Sequence, residues 1–169
     1  MLKEQDIVVL CKLSGRSDGW TLADIGTELG LAPSAVHRSL ARAGDGRLYD
    51  RTSRMVAVTA LHGLLVHGGR HLFPERRTGE TRGVPTAWSA PPLDDERGAL
   101  PVVWPHPHGS SRGLGLEPIH PIVPAAALQD PLLHARLALL DAIRIGDARI
   151  RREAGDLLAD ALGAAADRA

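Results

Sequence analysis

The sequence of 169 residues is poor in cysteine, in aromatic side chains and in long apolar runs. A single cysteine, Cys11, excludes an internal disulfide and a multi-cysteine zinc site. Three tryptophans, one tyrosine and one phenylalanine are too few to fill a core, so aliphatic residues must build it. No apolar run is long enough to span a bilayer, and the opening MLKEQDIVVLCK lacks a secretory signal pattern. We therefore expect a cytoplasmic protein with no membrane partner.

The chain has no net charge, but its basic and acidic residues are unevenly distributed along the sequence. Residues 1–83 hold 12 Lys and Arg against 9 Asp and Glu, whereas residues 84–169 hold 8 against 11. The contents of 44% hydrophobic and 24% charged residues are typical of a globular protein and exclude wholesale disorder. The basic excess in the first half indicates a polyanionic partner for that half only.

The distribution of proline predicts three parts. Ten of the twelve prolines lie between Pro74 and Pro124, and proline removes a backbone donor and fixes φ. We therefore predict an irregular, Pro-rich linker over residues 74–124. The flanks read as helical, so the fold is predicted to be mainly α. It would comprise an N-terminal domain over 1–73, the linker, and a C-terminal helical hairpin over 125–169.

The N-terminal part carries clear helix boundaries. Thr21 has Asp24 three positions later, which is the pattern of a capping box. Gly30 interrupts the helix that follows, and Pro33 is suited to the first position of the next one. The apolar spacing predicts four helices and one short hairpin here: Lys3–Ser14, Leu22–Leu29, Pro33–Ala43, Thr59–Arg70, and Leu48–Tyr49 paired with Met55–Val58.

The C-terminal part reads as two antiparallel helices. Asp130 before Pro131 predicts the start of a helix that runs to about Ile145, and Gly146–Asp147 ends it and caps the last one. This hairpin cannot bury its own apolar face. It must pack on the first domain or across a two-fold axis, and we expect it to support a homodimer or to bind a partner.

The most informative segment is TLADIGTELGLAPSAVHRSLARA, residues 21–43. Gly26 stands where two helices would approach closely, and Gly30 stands where a left-handed turn is needed. With these residues, the chain over roughly residues 3–70 resembles the winged helix-turn-helix domain of bacterial transcription regulators of the MarR and IclR type. Leu48–Val58 lies where the wing of such a domain would be. The resemblance implies a sequence-specific DNA-binding regulator, a repressor acting as a homodimer.

The resemblance also implies a set of DNA-binding residues. Pro33–Ala43 would be the recognition helix in the major groove of double-stranded DNA. Arg38 would make a bidentate contact to guanine, with Ser34 and His37 reaching base edges or phosphates. The remaining arginines would contact the DNA backbone from the helix end and the wing: Arg42, Arg47, Arg51 and Arg54.

Two other classes of function remain open at this point. The winged helix would instead serve as a protein-interaction module, such as an antitoxin that neutralises a neighbour-encoded partner and also represses its operon. An enzyme or ligand sensor would use Trp88, Trp104 and the loop of His106 and His108. Alternatively, both tryptophans fill the core of a small domain.

No catalytic motif stands out, so the chain is predicted not to be an enzyme. His67 and His71 are four residues apart, which is a spacing of metal ligands, but no Cys, Asp or Glu near them completes a site. We therefore expect neither a metal nor another cofactor.

Overall fold

The computed structural model describes residues 1–95 and 97–163. In this part the chain is mainly α-helical. The N-terminal elements follow the predicted periodicity, with helix boundaries shifted by at most two residues. They are α1 (Glu4–Leu13), α2 (Leu22–Leu29), α3 (Pro33–Asp45), β1 (Tyr49–Asp50), β2 (Met55–Val56) and α4 (Val58–Leu72).

The residues that predicted these boundaries make the expected contacts. The Asp24 amide donates to the Thr21 hydroxyl at 3.1 Å, and the Thr21 amide donates to the Asp24 carboxylate at 2.8 Å. Gly30 has a φ of 69° and ends α2 in the left-handed conformation. The hairpin also forms, with Tyr49 opposite Val56 in an antiparallel ladder.

The prediction of an irregular linker over residues 74–124 is wrong. This stretch holds three strands, β3 (Arg77–Pro85), β4 (Val102–Pro105) and β5 (Ser111–Leu116), with a 3₁₀ turn at Ala87–Ser89 between the first two. β3 pairs antiparallel with both other strands, while β4 and β5 pair parallel, so that the small sheet closes on itself.

Proline position explains why the linker prediction failed. Pro85 and Pro105 are the last residues of β3 and β4, and Pro101 immediately precedes β4. None of them removes a hydrogen bond from a strand interior. The strands approach so closely that a Cβ added at Gly83 would lie 2.1 Å from the Trp104 carbonyl oxygen. Glycine at such crossings, rather than apolar alternation, marks these strands.

The C-terminal part contains α5 (Val123–Gln129), α6 (Pro131–Ile145) and α7 (Ala148–Leu162). The predicted hairpin of α6 and α7 is present, preceded by the short α5, which the sequence did not predict. The Asp130 carboxylate accepts a hydrogen bond from the Leu133 amide at 3.0 Å and caps α6. The Asp147 carboxylate accepts one from the Ile150 amide at 2.9 Å and caps α7. Residues 164–169 of the predicted segment lie outside the described residues.

The hairpin packs within the chain, which is the first of the two predicted arrangements. α6 contacts α1 and α4, and α7 contacts α4. As a result α1 is surrounded, and five consecutive side chains from Ile7 to Cys11 have no exposed surface. Burial raises the pKa of the Cys11 thiol to about 12, so that it stays protonated and unreactive at neutral pH.

Two buried arginines join α6 to the rest of the fold. Arg136 donates to the carbonyl oxygens of Cys11 at 2.6 Å, Ser14 at 2.9 Å and Ala161 at 2.8 Å. It thereby binds the carboxyl ends of both α1 and α7, where helix dipoles favour a cation. The other, Arg144, donates to the Phe73 carbonyl at 2.7 Å.

A buried carboxylate, Asp141, connects α6 to the sheet. It accepts from the Thr86 hydroxyl at 2.8 Å, the Trp104 indole at 2.6 Å and Arg144 at 2.5 Å. Trp104 is 1% exposed and therefore belongs to the core. In the described part of the chain, every buried side-chain nitrogen and oxygen has a hydrogen-bond partner.

Candidate nucleic-acid interface

Helices α2 and α3 are held close together by the turn between them. The Leu31 amide donates to the Gly26 carbonyl at 2.8 Å. A Cβ added at Gly26 would lie 2.5 Å from the Leu31 carbonyl oxygen, so only glycine fits there without a shift of the backbone. This geometry agrees with the close approach predicted from the sequence and sets the orientation of α3.

The inner face of α3 is fixed on the core. Val36, Leu40 and Ala43 are buried, as the helical spacing predicts. Ser39 is buried as well, although it is polar, and its hydroxyl accepts from the Gln5 side-chain amide of α1 at 2.8 Å. A hydrogen bond between α1 and α3 therefore satisfies this buried hydroxyl.

The outer face of α3 presents the three predicted base-reading residues. Ser34, His37 and Arg38 are all exposed, and their spacing of three and four residues places them on one side of the helix. The structure thus brings these three together. At the start of the helix, Ala32 supplies no side-chain cap, which leaves the first backbone N–H groups without that partner.

Arg42 has a role that the sequence did not predict. Its Nη2 lies 2.6 Å from Oδ1 of Asp6 and its Nε lies 2.9 Å from Oδ2. The hydrogen bonds that Arg42 donates to the Asp6 carboxylate raise the pKa of Arg42 above its ordinary value. Asp6 is fully buried, whereas the Arg42 side chain is 21% exposed. Arg42 therefore attaches α3 to α1 instead of projecting from the surface with the other arginines.

The remaining predicted arginines lie around the end of α3 and the hairpin, and all three are exposed. Arg51 joins the two elements, since it donates to the Ala41 carbonyl at 2.7 Å and to Asp45 at 2.6 Å. Arg54 stacks over the ring of Trp20 at 4.1 Å and donates to its carbonyl at 2.9 Å. Arg47 follows α3 with a φ of 57°.

Trp20 is a residue of this surface that the sequence analysis missed. It forms one wall of a groove of about 530 Å³ between α3 and the hairpin, together with Leu40 and Tyr49. Arg51 and Arg54 lie at the rim of this groove. The sequence signal that could have identified Trp20 is its position directly before the Thr21 cap, in a chain with few aromatic residues.

The other residues considered in the sequence lie elsewhere. Trp88 is half-buried beside the closed sheet, and the rings of His106 and His108 are 5.7 Å apart in the loop after β4. Among residues 1–95 and 97–163, no three His, Cys, Asp or Glu side chains are grouped as metal ligands would be. Within the same residues, no helix combines the length and apolar character needed to cross a bilayer.

Comparison with protein-family models, with curated proteins and with solved structures gives no significant match to this chain.

Proposed function

We propose that this chain is a sequence-specific DNA-binding transcription regulator that inserts α3 into the major groove, with the β1–β2 hairpin as its wing. The observation that carries the proposal is the two-sided character of α3. Its outer face exposes Ser34, His37 and Arg38, while its inner face is fixed on α1 and α2. A reading helix needs exposed donors and acceptors on a rigidly held backbone.

Base recognition is assigned to the outer face. The guanidinium of Arg38 suits a bidentate contact with O6 and N7 of guanine. Ser34 and His37, on the same face of α3, contact neighbouring base edges. The N-terminus of α3 contributes in a second way. Pro33 has no N–H, and the Ala35 and Val36 amides donate to the Ala32 carbonyl, so we assign a DNA phosphate to the Ser34 amide.

Phosphate contacts are assigned to Arg47, Arg51 and Arg54. Arg51 and Arg54 are each held by a backbone carbonyl, so little side-chain freedom is lost when they bind DNA. Arg42 is left out of this set because its guanidinium is held by the buried Asp6, whereas Arg51 and its ion-pair partner Asp45 are both exposed.

We also propose that the chain acts as a homodimer and as a repressor. Two copies place two recognition helices on successive half-sites, which raises affinity and specificity together. The apolar face of the α6–α7 hairpin is already covered within the chain, so the dimer contact must use another surface. Leu128 and Leu132 are 42% and 52% exposed and stand close in sequence at the junction of α5 and α6.

The test is fluorescence-anisotropy binding to the DNA upstream of the chain's own gene and to a scrambled duplex of equal composition, at several salt concentrations. The proposal expects tighter binding to the upstream DNA, which persists at moderate salt. Equal binding to both duplexes that disappears with salt would contradict sequence-specific reading. That result would favour the protein-interaction module, to be pursued by co-purification with the neighbour-encoded protein.

A further inference from the structure

A second groove lies far from α3 in sequence, between the closed sheet and the start of α7. It encloses about 590 Å³. One side is formed by Val102 and Leu114, which are paired on neighbouring strands, and the other by Ile150 in the first turn of α7. Trp88 also lines the groove. Its volume falls in the range of sites that bind small molecules.

The most unusual wall residue is Leu114. It is 44% exposed, although the residues on either side of the groove, Val102 and Ile150, are almost fully buried. An apolar side chain left open in the middle of a strand, next to further apolar surface, is expected to gain free energy when a ligand removes it from water.

One end of the groove offers hydrogen-bond donors from an arginine. Arg77 uses its Nε to donate to Glu75 at 2.9 Å, and no hydrogen bond among the described residues occupies its two Nη groups. Thr78, beside it, adds a hydroxyl to the lining. The other basic residue, Arg97, pairs with two carboxylates, Asp95 and Asp147, whereas Arg77 pairs with Glu75 alone. Arg77 is therefore the group best suited to bind an anion here.

We propose that this groove binds a small molecule with an unbranched aliphatic chain and one terminal carboxylate, of the size of a medium-chain fatty acid. The chain contacts Leu114 and the partly exposed Leu100 and Trp88, above a floor formed by the buried Val102 and Ile150. The carboxylate accepts hydrogen bonds from the Nη groups of Arg77. The mainly aliphatic wall and the single available guanidinium select this ligand class. The site is separate from the proposed DNA-reading surface, so its test needs no DNA.

Isothermal titration of the whole chain with octanoate, hexanoate and 1-octanol tests the proposal. Octanoate is expected to bind with a Kd below about 1 mM, and hexanoate about tenfold more weakly because two buried methylenes are lost. Absence of octanoate binding at that concentration, or equal binding of the two acids, would overturn the proposal.

Substitutions with matched controls locate the site. Leu114→Gln should weaken octanoate binding about tenfold, while Leu72→Gln, at a comparably exposed leucine outside the groove, should leave it unchanged. Arg77→Gln should weaken octanoate but not 1-octanol. Arg112→Gln, at an arginine of the same sheet that pairs with Glu80, should affect neither.

Two outcomes of the variants would contradict the assignment. An equal loss of octanoate and 1-octanol in Arg77→Gln would show that Arg77 does not bind the carboxylate. Loss of octanoate in Trp20→Phe, with Leu114→Gln unaffected, would place the ligand in the groove beside α3 instead. Far-ultraviolet circular dichroism and the Tm of each variant verify that it remains folded.

Discussion

The guanidinium of Arg42 reaches from α3 to α1, where its Nη2 lies 2.6 Å from Oδ1 of the fully buried Asp6. The same carboxylate accepts from the Lys3 amide at 2.8 Å, at the start of α1. One acidic side chain thus holds α3 and satisfies a backbone donor at the N-terminus of α1. The orientation of α3 therefore depends on a residue outside the segment of α2 and α3.

Asp6→Asn is expected to lower the free energy of unfolding by about 2–4 kcal/mol, because it removes one partner of a largely buried ion pair. Chemical denaturation measures the change. Glu4→Gln, at an exposed acidic residue of the same helix turn, is the control and should change it by less than about 0.5 kcal/mol. Equal effects of the two substitutions would show that the pair with Arg42 adds little stability.

Two glycine-to-alanine substitutions in helices are expected to have opposite signs. Gly26→Ala should destabilise the fold by about 1–3 kcal/mol, since the new Cβ would meet the Leu31 carbonyl at 2.5 Å. Gly63→Ala in α4, where no atom lies within 4 Å of the added Cβ, should stabilise by about 0.5–1 kcal/mol. Tm values measure both, and stabilisation by Gly26→Ala would contradict the close approach of α2 and α3.

Substitutions at the proposed DNA-binding residues are expected to have two different effects on DNA binding. Arg38→Ala should cost about 1–3 kcal/mol on the preferred site and relax the preference at one base pair. Arg47→Ala should weaken binding to all sequences alike and lower the slope of log K against log salt by about one. Anisotropy titrations on the preferred duplex and on single-base variants measure both effects. Equal losses on preferred and random DNA for Arg38→Ala would rule out base reading by this residue.

The stability of the fold is expected to fall at acid pH because ion pairs in a cluster that joins α1 to α2 are lost. A hydrogen bond from Lys12, with a further contribution from Arg16, lowers the pKa of the Glu28 carboxyl below its ordinary 4.5. Because the pKa is lower in the folded chain, this stabilisation is present above pH 4.5 and is lost as the pH falls through the folded-state value. Glu28→Gln should therefore show a shallower decline of Tm between neutral and acid pH.

The control for the pH experiment is Glu117→Gln, at an exposed glutamate outside this cluster. Its Tm should follow the parent chain at every pH. A decline in Glu28→Gln as steep as that of the parent would show that the ion pairs with Lys12 and Arg16 are too weak to affect stability.

The helices were predictable because their signals are local. Thr21, Gly30 and Pro33 each act on their own neighbours, and the structure confirms the boundaries that they predict. The closed sheet was not predictable in the same way. β3 leaves most of its first six residues exposed, so it shows no apolar alternation, and its pairing depends on glycines such as Gly83 that read as turns.

Helical periodicity also failed to predict which charged residues are buried. Spacing assigns a charged residue of an amphipathic helix to solvent, yet Arg136, Asp141 and Arg144 of α6 are all buried. Apart from the pair of Asp141 and Arg144, their partners are far away in sequence, as Asp6 is for Arg42. Of the predicted site residues, those on the outer face of α3 were found where expected, because helix geometry alone decides their direction.

The clamp formed by Arg136 has a consequence for the order of events during synthesis. α1 leaves the ribosome before α6, but Arg136 bonds to carbonyls at the end of α1 across 125 and 122 residues. The part of α1 that packs on α6 therefore stays uncovered until α6 has been translated. Such distant contacts slow folding and extend the time during which a nascent chain needs protection by chaperones.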